Sequence, residues 1–153
     1  MIEKRSFKDS YETPHHLSLE REVIGEIERG TNIQAKKLPK RDVLDFCLTA
    51  DEKVIGFLEV RSRQINWSII ANGGGFYLPL KKWIKIKSIH QSTQILTCLI
   101  VRCNDYSFKT WLGKHEEFEV IWWGDERSDK DFDREPMVSI PPFFFKEFYK
   151  VKN

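Results

Sequence analysis

A chain of 153 residues, 41% hydrophobic and 13% aromatic, has the length for one domain with a real core and the composition of a folded protein, not of a disordered tail. A formal net charge of +2 excludes any argument for a nucleic-acid partner from bulk charge, so that case must come from local clusters. Three Cys without C-x-x-C spacing read as thiols of a reducing cytoplasm, with Cys47 and Cys98 buried in apolar runs, and the lack of an N-terminal apolar segment or an apolar span of about 18 residues predicts neither secretion nor a membrane partner.

Met1 to His16 is polar and mixed in charge, which predicts a loose arm ahead of one domain at residues 17–149. The adjacent His15 and His16 read as solvated. Leu17 to Arg29 predicts a helix, with Ser18 as N-cap, a stripe of Leu19, Val23, Ile24 and Ile27, and Gly30 as the stop. Arg21 at the third position leaves no full capping box. Glu20 shares the inward face, while Glu22 and Glu26 share another. Ile33 to Leu38 predicts a short strand with a basic rim of Lys36, Lys37, Lys40 and Arg41. Such a run is usually a solvated face, but beside a phosphodiester site it holds a DNA backbone.

Arg41 to Arg63 is the most informative stretch. Two apolar-rich runs, Val43 to Thr49 and Val54 to Ser62, flank Ala50-Asp51-Glu52-Lys53, the pattern of a β-hairpin. Each run carries an acid where a core strand prefers an apolar residue: Asp45 between Leu44 and Phe46, and Glu59 between Leu58 and Val60. Alternation points Glu59 and Arg61 to one face and Leu58 and Val60 to the other, and Asp45 on the partner strand can share the acidic face. A desolvated carboxylate needs a partner or a metal. Two converging carboxylates make an oxygen site of the sort Mg²⁺ accepts.

Ile65 to Ile70 predicts a further strand, whose Trp67 either stacks on a base or, as is commoner for an aromatic, lies on a half-buried face, leading into Gly73-Gly74-Gly75. These glycines lack the Gly-Lys-Ser/Thr of a phosphate loop. Pro79 to Gln91 predicts a helix with Leu80, Trp83 and Ile84 at helical spacing and Lys81, Lys82, Lys85 and Lys87 outside. Ile95 to Cys103 is the most continuous apolar run and predicts the central strand, buried on both faces. After the Asn104-Asp105 turn, Tyr106 to Leu112 and Phe118 to Trp123 predict antiparallel strands, joined by a loop in which His115 is solvated. Asp125 to Glu135 reads as a charged, solvated loop or a partner surface. Its Asp129, Asp131 and Asp133 mimic the start of a Ca²⁺ loop, but the sixth position is not Gly and the twelfth is Ile140. Met137 to Ile140 predicts an edge strand. Pro142 to Tyr149 predicts a closing helix whose Phe143, Phe144, Phe145 and Phe148 cap the core or form a homodimer patch.

The order of these parts resembles the PD-(D/E)XK nuclease superfamily, and most closely its small phage-type members. There a hairpin close to "EVKCR" is followed by a Lys-bearing helix, a strand ending in a polar turn, and an Asp-rich loop running into "EP…IP". Here those parts read Glu59-Val60-Arg61-Ser62-Arg63, Lys81-Lys82-Trp83, Ile95 to Asp105 and Asp131 to Pro141, and the resemblance covers roughly Ser18 to Phe148. It implies a restriction-endonuclease-like α/β fold: an αβββαβ core, a mixed β-sheet flanked by helices, then C-terminal strands and a short helix, with Gln64 to Phe76 near the mouth of the site. It implies a Mg²⁺ (or Mn²⁺) cofactor on Asp45, Glu59 and the Val60 carbonyl, with DNA as substrate. It implies an accessory acid at Glu20, or failing that Glu22, and Lys82 approaching the scissile phosphate. Arg63, Lys36, Lys37, Lys81, Lys82 and Lys85 would hold the nucleic acid. Two departures stand out. Leu44, not Pro, precedes Asp45, with Pro39 further upstream. Arg61 replaces the Lys of Glu-x-Lys, and a guanidinium stays protonated. Retention of both acids favours a nuclease, while loss of the Lys favours an inactive nuclease-fold protein that binds DNA or a protein partner. A third reading is a buried ion-pair network.

Overall fold

The computed structural model describes residues 13–123 and 135–152. The chain enters through helix α1, Pro14–Glu28, whose cap is Thr13: its Oγ1 accepts the His16 N–H at 3.1 Å. The helix therefore starts ahead of the expected Leu17 and is capped by Thr13, not Ser18. Pro14 in the first turn has no N–H to lose and a φ already suited to a helix, so it extends the helix back through His15 and His16.

Strands β1 (Ile33–Lys37), β2 (Phe46–Ala50) and β3 (Lys53–Ser62) form an antiparallel meander. Asp51 and Glu52 turn the β2–β3 hairpin with φ of 49° and 66°. That left-handed pair matches the twist of a two-residue hairpin loop. β3 then pairs in parallel with β5 (Thr97–Arg102), as Phe57 with Thr97 through Ser62 with Arg102. A parallel pair needs a long crossover. The intervening chain supplies helix α2 (Trp67–Asn72), strand β4 (Phe76–Pro79) and helix α3 (Leu80–Thr93). β6 (Tyr106–Leu112) and β9 (Lys146–Lys150) complete a six-stranded mixed sheet in the order β1-β2-β3-β5-β6-β9. β7 (Glu119–Trp123) and β8 (Glu135–Ile140) join β4 in a second sheet, ordered β4-β8-β7. The β5 run is buried from Thr97 through Val101 and lies inside the sheet, as a continuous apolar strand should.

Four expectations are corrected here. The Ile65–Ile70 segment forms helix α2 from Trp67, because tertiary partners outweigh the strand preference of Trp and Ile. The Trp67 ring stacks on Phe108 at 3.9 Å and meets Phe145 edge-on, and the Trp67 backbone N–H donates to Asp105 Oδ1 at 3.0 Å. That ring is thus committed to packing, not to a nucleic-acid base. Second, β6 and β7 do not pair with each other and lie in different sheets. Third, β8 is the middle strand of its sheet, not an edge. Gly75 permits the close approach there: at φ 131° its added Cβ would stand 2.3 Å from the Ile140 carbonyl oxygen. Fourth, the closing helix is a 3₁₀ turn at Pro142–Phe144 followed by strand β9 along β6. Phe148 and Tyr149 suit a pleated surface better than a helix. The Asp125–Glu135 loop lies, apart from Glu135, outside the described residues.

The large sheet separates two apolar layers. On one face, Val23 of α1 packs with Phe46, Leu48, Leu58, Val60, Cys98 and Ile100. On the other, Leu99, Val101 and Cys103 meet Trp83 and Ile86 of α3 with Leu78, Val138 and Ile140 of the small sheet. Leu58 and Val60 belong to the α1 side. Strand alternation therefore turns Glu59 and Arg61 toward the α3 side. Burial pushes the Cys98 and Cys103 thiols up to about 12 and about 11, so both remain protonated core residues. Among the described residues no helix is long and apolar enough to cross a membrane.

Candidate active site

The site begins with a local accident of the hairpin. Asp45 is the last residue before β2, where the register pairs Phe46 with Leu58. Its backbone carbonyl accepts the Leu38 N–H at 2.8 Å, and its side-chain Oδ2 accepts the Val60 N–H at 2.9 Å. The Asp45 carboxylate is thereby pinned across the ladder beside Glu59. Glu59, in the middle of β3, is 1% exposed.

Two cations meet Glu59 on a single oxygen. Lys82 Nζ, from the first turn of α3, lies 2.8 Å from Oε2 and also donates to the Val43 carbonyl. Arg61 Nε lies 3.0 Å from the same oxygen, but its N–H is not aligned for a hydrogen bond. Glu59 Oε1 is buried with no hydrogen-bond partner. Burial pushes the Glu59 carboxyl up to about 7, reinforced by the like charge of Asp45 and opposed by Arg61 and Lys82. An unpartnered buried carboxylate oxygen costs stability, and perturbed carboxylates cluster at functional sites.

Arg63 follows one residue beyond the end of β3. Its Nη1 donates to the Ser62 carbonyl at 2.8 Å, and its guanidinium lies 4.9 Å over the Phe76 ring. Burial, then the charge of Arg61, lowers its pKa. Lys36, Lys81 and Lys85 are exposed. Lys37 is drawn to Glu20 at 2.8 Å and lies over the Phe46 ring at 4.9 Å.

The structure does not bring Glu20 to this group. Its buried carboxylate pairs with Lys37 through Oε1 and with His16 Nε2 through Oε2 at 3.3 Å. Among the described residues no cluster of three or more His, Cys, Asp or Glu forms a metal cage. Glu22 has a different place again: Arg102 Nε and Nη2 grip it in a fork, each at 2.9 Å, and the Tyr149 hydroxyl donates to Oε2. The Arg102 and Tyr149 partners are not foreshadowed by any motif. The one sequence signal is a charged residue ending the buried β5 run.

The residues present fit a hard divalent cation. The donor set is all oxygen, Glu59 Oε1 is an orphan, and Mg²⁺ is commonly held by one or two carboxylates with water and substrate oxygens completing the shell.

A mixed sheet between helices, with an acid before β2 and Glu-x-Arg in β3, defines a restriction-endonuclease-like α/β protein. The chain belongs to the family described as "Phage putative PDDEXK endonuclease", whose pattern its residues 6–151 match. No curated protein and no solved structure matches the chain.

Proposed function

We propose that this chain is a Mg²⁺- or Mn²⁺-dependent deoxyribonuclease that hydrolyses phosphodiester bonds. The carrying observation is Glu59: a buried carboxylate beside Asp45, with an ammonium on one oxygen and nothing on the other. Asp45, Glu59 and the Val60 carbonyl would hold the cation. When bound, it would polarise the phosphate and acidify a coordinated water.

The chain's own groups supply the rest. Lys82 brings to Glu59 the ammonium that Glu-x-Lys carries on the strand, and it orients the attacking water. Arg61 stays protonated and stabilises charge that develops on the phosphate oxygens. Arg63 takes the adjoining phosphate, while the exposed Lys36, Lys81 and Lys85 hold the backbone further out. Lys37 and Glu20 set the position of α1 on β1.

The test is cleavage of single-stranded, duplex and branched DNA while Mg²⁺ or Mn²⁺ is titrated into wild type and Glu59→Ala. Metal-dependent cutting lost in the variant supports the nuclease. Absence of both cutting and metal binding sinks it. The second reading is a non-cleaving nuclease-fold binder of DNA or a protein, favoured by Arg61 in place of Lys. Its signature is DNA or partner binding that survives in Glu59→Ala.

A further inference from the structure

We propose that Phe143, Val120 and Trp122 form a stacking platform for unpaired bases, so that the DNA this chain acts on is single-stranded or carries an unpaired segment. The inference rests on the nuclease reading above and narrows its substrate class.

Phe143 is held outward by its surroundings. Pro141 and Pro142 set the backbone ahead of it. The 3₁₀ turn closes with the Phe144 N–H on the Pro141 carbonyl and the Phe145 N–H on the Pro142 carbonyl, at 3.1 and 3.0 Å. Phe145 is then buried in the core. One face of the Phe143 ring lies on Phe144, with centroids 4.8 Å apart and planes inclined by 29°. The residue is still 81% exposed, so its other face meets water.

This ring ends a line that begins beside Lys82. Trp83, the next residue on α3, meets Phe118 at 4.9 Å, and Phe118 meets Phe144 edge-on at 5.1 Å. Strand β7 extends the same surface. Phe118 immediately precedes it, so alternation puts Val120 and Trp122 on the Phe118 side and Glu119 on the other. The register agrees, because Val120 pairs with Val138 of the core. Yet Val120 and Trp122 are 52% and 69% exposed, because β7 is the edge of the small sheet and its inner face is only partly covered. Exposed apolar surface of this extent marks a contact site.

Charge identifies the occupant. Helix α3 carries Lys81, Lys82, Lys85 and Lys87 and no Asp or Glu, and the Lys87 ammonium lies 5.6 Å over the Trp83 ring. Rings beside a helix of lysines suit a single strand, whose phosphates take the cations and whose bases take the rings. Bases inside a duplex are already stacked on one another, so only an unpaired base can lie on Phe143.

Fluorescence anisotropy tests this with divalent metal chelated, so that no strand is cut. The probes are a labelled oligothymidine and the same strand annealed to its complement. Phe143→Ala and Trp122→Ala should each weaken single-strand binding at least about fivefold, and the ratio of single-strand to duplex affinity should fall with it. Both rings are mostly exposed, so truncation removes little core packing. Phe143→Trp keeps a π-face and should bind the single strand as well as wild type. The slope of log affinity against log salt should stay at the wild-type value in both ring variants and shrink by about 0.7 in Lys85→Met, because a ring neutralises no phosphate. Single-strand binding that neither ring variant weakens overturns the platform, and if that protein cuts DNA the nuclease reading survives. Ring-dependent binding by a chain that cuts no DNA with Mg²⁺ or Mn²⁺ supports the platform and overturns the nuclease. A wild type that is dimeric by light scattering, and monomeric as Phe143→Ala with unaltered DNA affinity, overturns the platform in favour of an interface between copies.

Discussion

Two carboxylates on opposite sides of the large sheet are treated in opposite ways. Glu22 of α1 is held at both oxygens, by the Arg102 fork and the Tyr149 hydroxyl, and that fork is the main cause of its lowered pKa. Glu59 of β3 is far more deeply buried, yet its two cations crowd one oxygen and leave the other bare, and its pKa is raised. A chain selected only for stability would satisfy the buried acid first. Here the half-exposed acid is satisfied and the buried one is left poised. Glu22 fastens α1 to the sheet, whereas Glu59 keeps a bare oxygen, as the proposed cation site requires.

The sharpest way to break this contrast is Glu59→Gln. Cleavage should fall about a thousandfold or more, because a neutral amide cannot hold the cation that polarises the phosphate. Stability at about pH 8 should change little, because the amide oxygen can still accept from Lys82 while an ionised oxygen without a donor leaves the interior. A large stability loss, read by urea denaturation, would show that Glu59 is a structural ion pair after all. Glu22→Gln should do the reverse. It strands Arg102, and because Glu22 is itself 36% exposed the loss is discounted for solvent screening to about 1–2 kcal/mol.

The two acids also give stability opposite slopes with pH. For Glu59 the unfolded carboxyl ionises near 4.5 while the folded one keeps its proton to about 7. Between those values the folded state binds more protons, so stability falls as pH rises, by on the order of 3 kcal/mol across the window. Glu22, with its folded pKa lowered, contributes stability that is present above the unfolded value of 4.5 and lost as pH falls through the folded one. Urea midpoints from about pH 4 to 8 in wild type and Glu59→Gln should show the upper decline vanish in the variant. A decline that persists would mean another group titrates there.

Much of this was legible before any coordinates. An acid inside each arm of a hairpin announces itself because strands alternate and a lone carboxylate is costly in a core. The β5 run declared its central place by its unbroken apolar stretch from Cys98 to Val101. Other features were settled by partners distant in sequence. Trp67 joins a helix because Phe108 and Asp105 receive it, and β9 is a strand because β6 offers an edge. Glu20 shows the limit most plainly. Helical periodicity puts it on the inner face of α1, but periodicity cannot tell which residue waits opposite, and here it is Lys37. By periodicity Lys82 reads as one of four lysines outside α3, and the family resemblance sets it apart as the one that approaches the scissile phosphate. Only the packing of that helix onto β3 singles it out for Glu59.

The lysine carries the next prediction. Lys82→Met should cost about a hundredfold in cleavage, the scale of one preorganised charge contact, while Lys81→Met, one residue away and exposed, should cost little. Equal losses would mean that α3 acts through bulk charge alone.

The smallest effect expected is at Arg61. If Lys82 already delivers the ammonium to Glu59, restoring Glu-x-Lys by Arg61→Lys adds no function, and it exchanges a fork that can grip two phosphate oxygens for a point charge. Cleavage by Arg61→Lys should therefore fall by less than about tenfold, and the salt dependence of DNA binding should be unchanged, because one positive charge replaces another. The double variant Arg61→Lys with Lys82→Met is the decisive companion. Activity well above that of Lys82→Met alone would mean that either position can serve, with the ammonium mattering and its point of attachment not. Activity no better than Lys82→Met would tie the chemistry to the path from α3. A rise in cleavage for Arg61→Lys alone would show instead that the guanidinium holds the site back, and that Lys82 supports Glu59 without replacing the strand lysine.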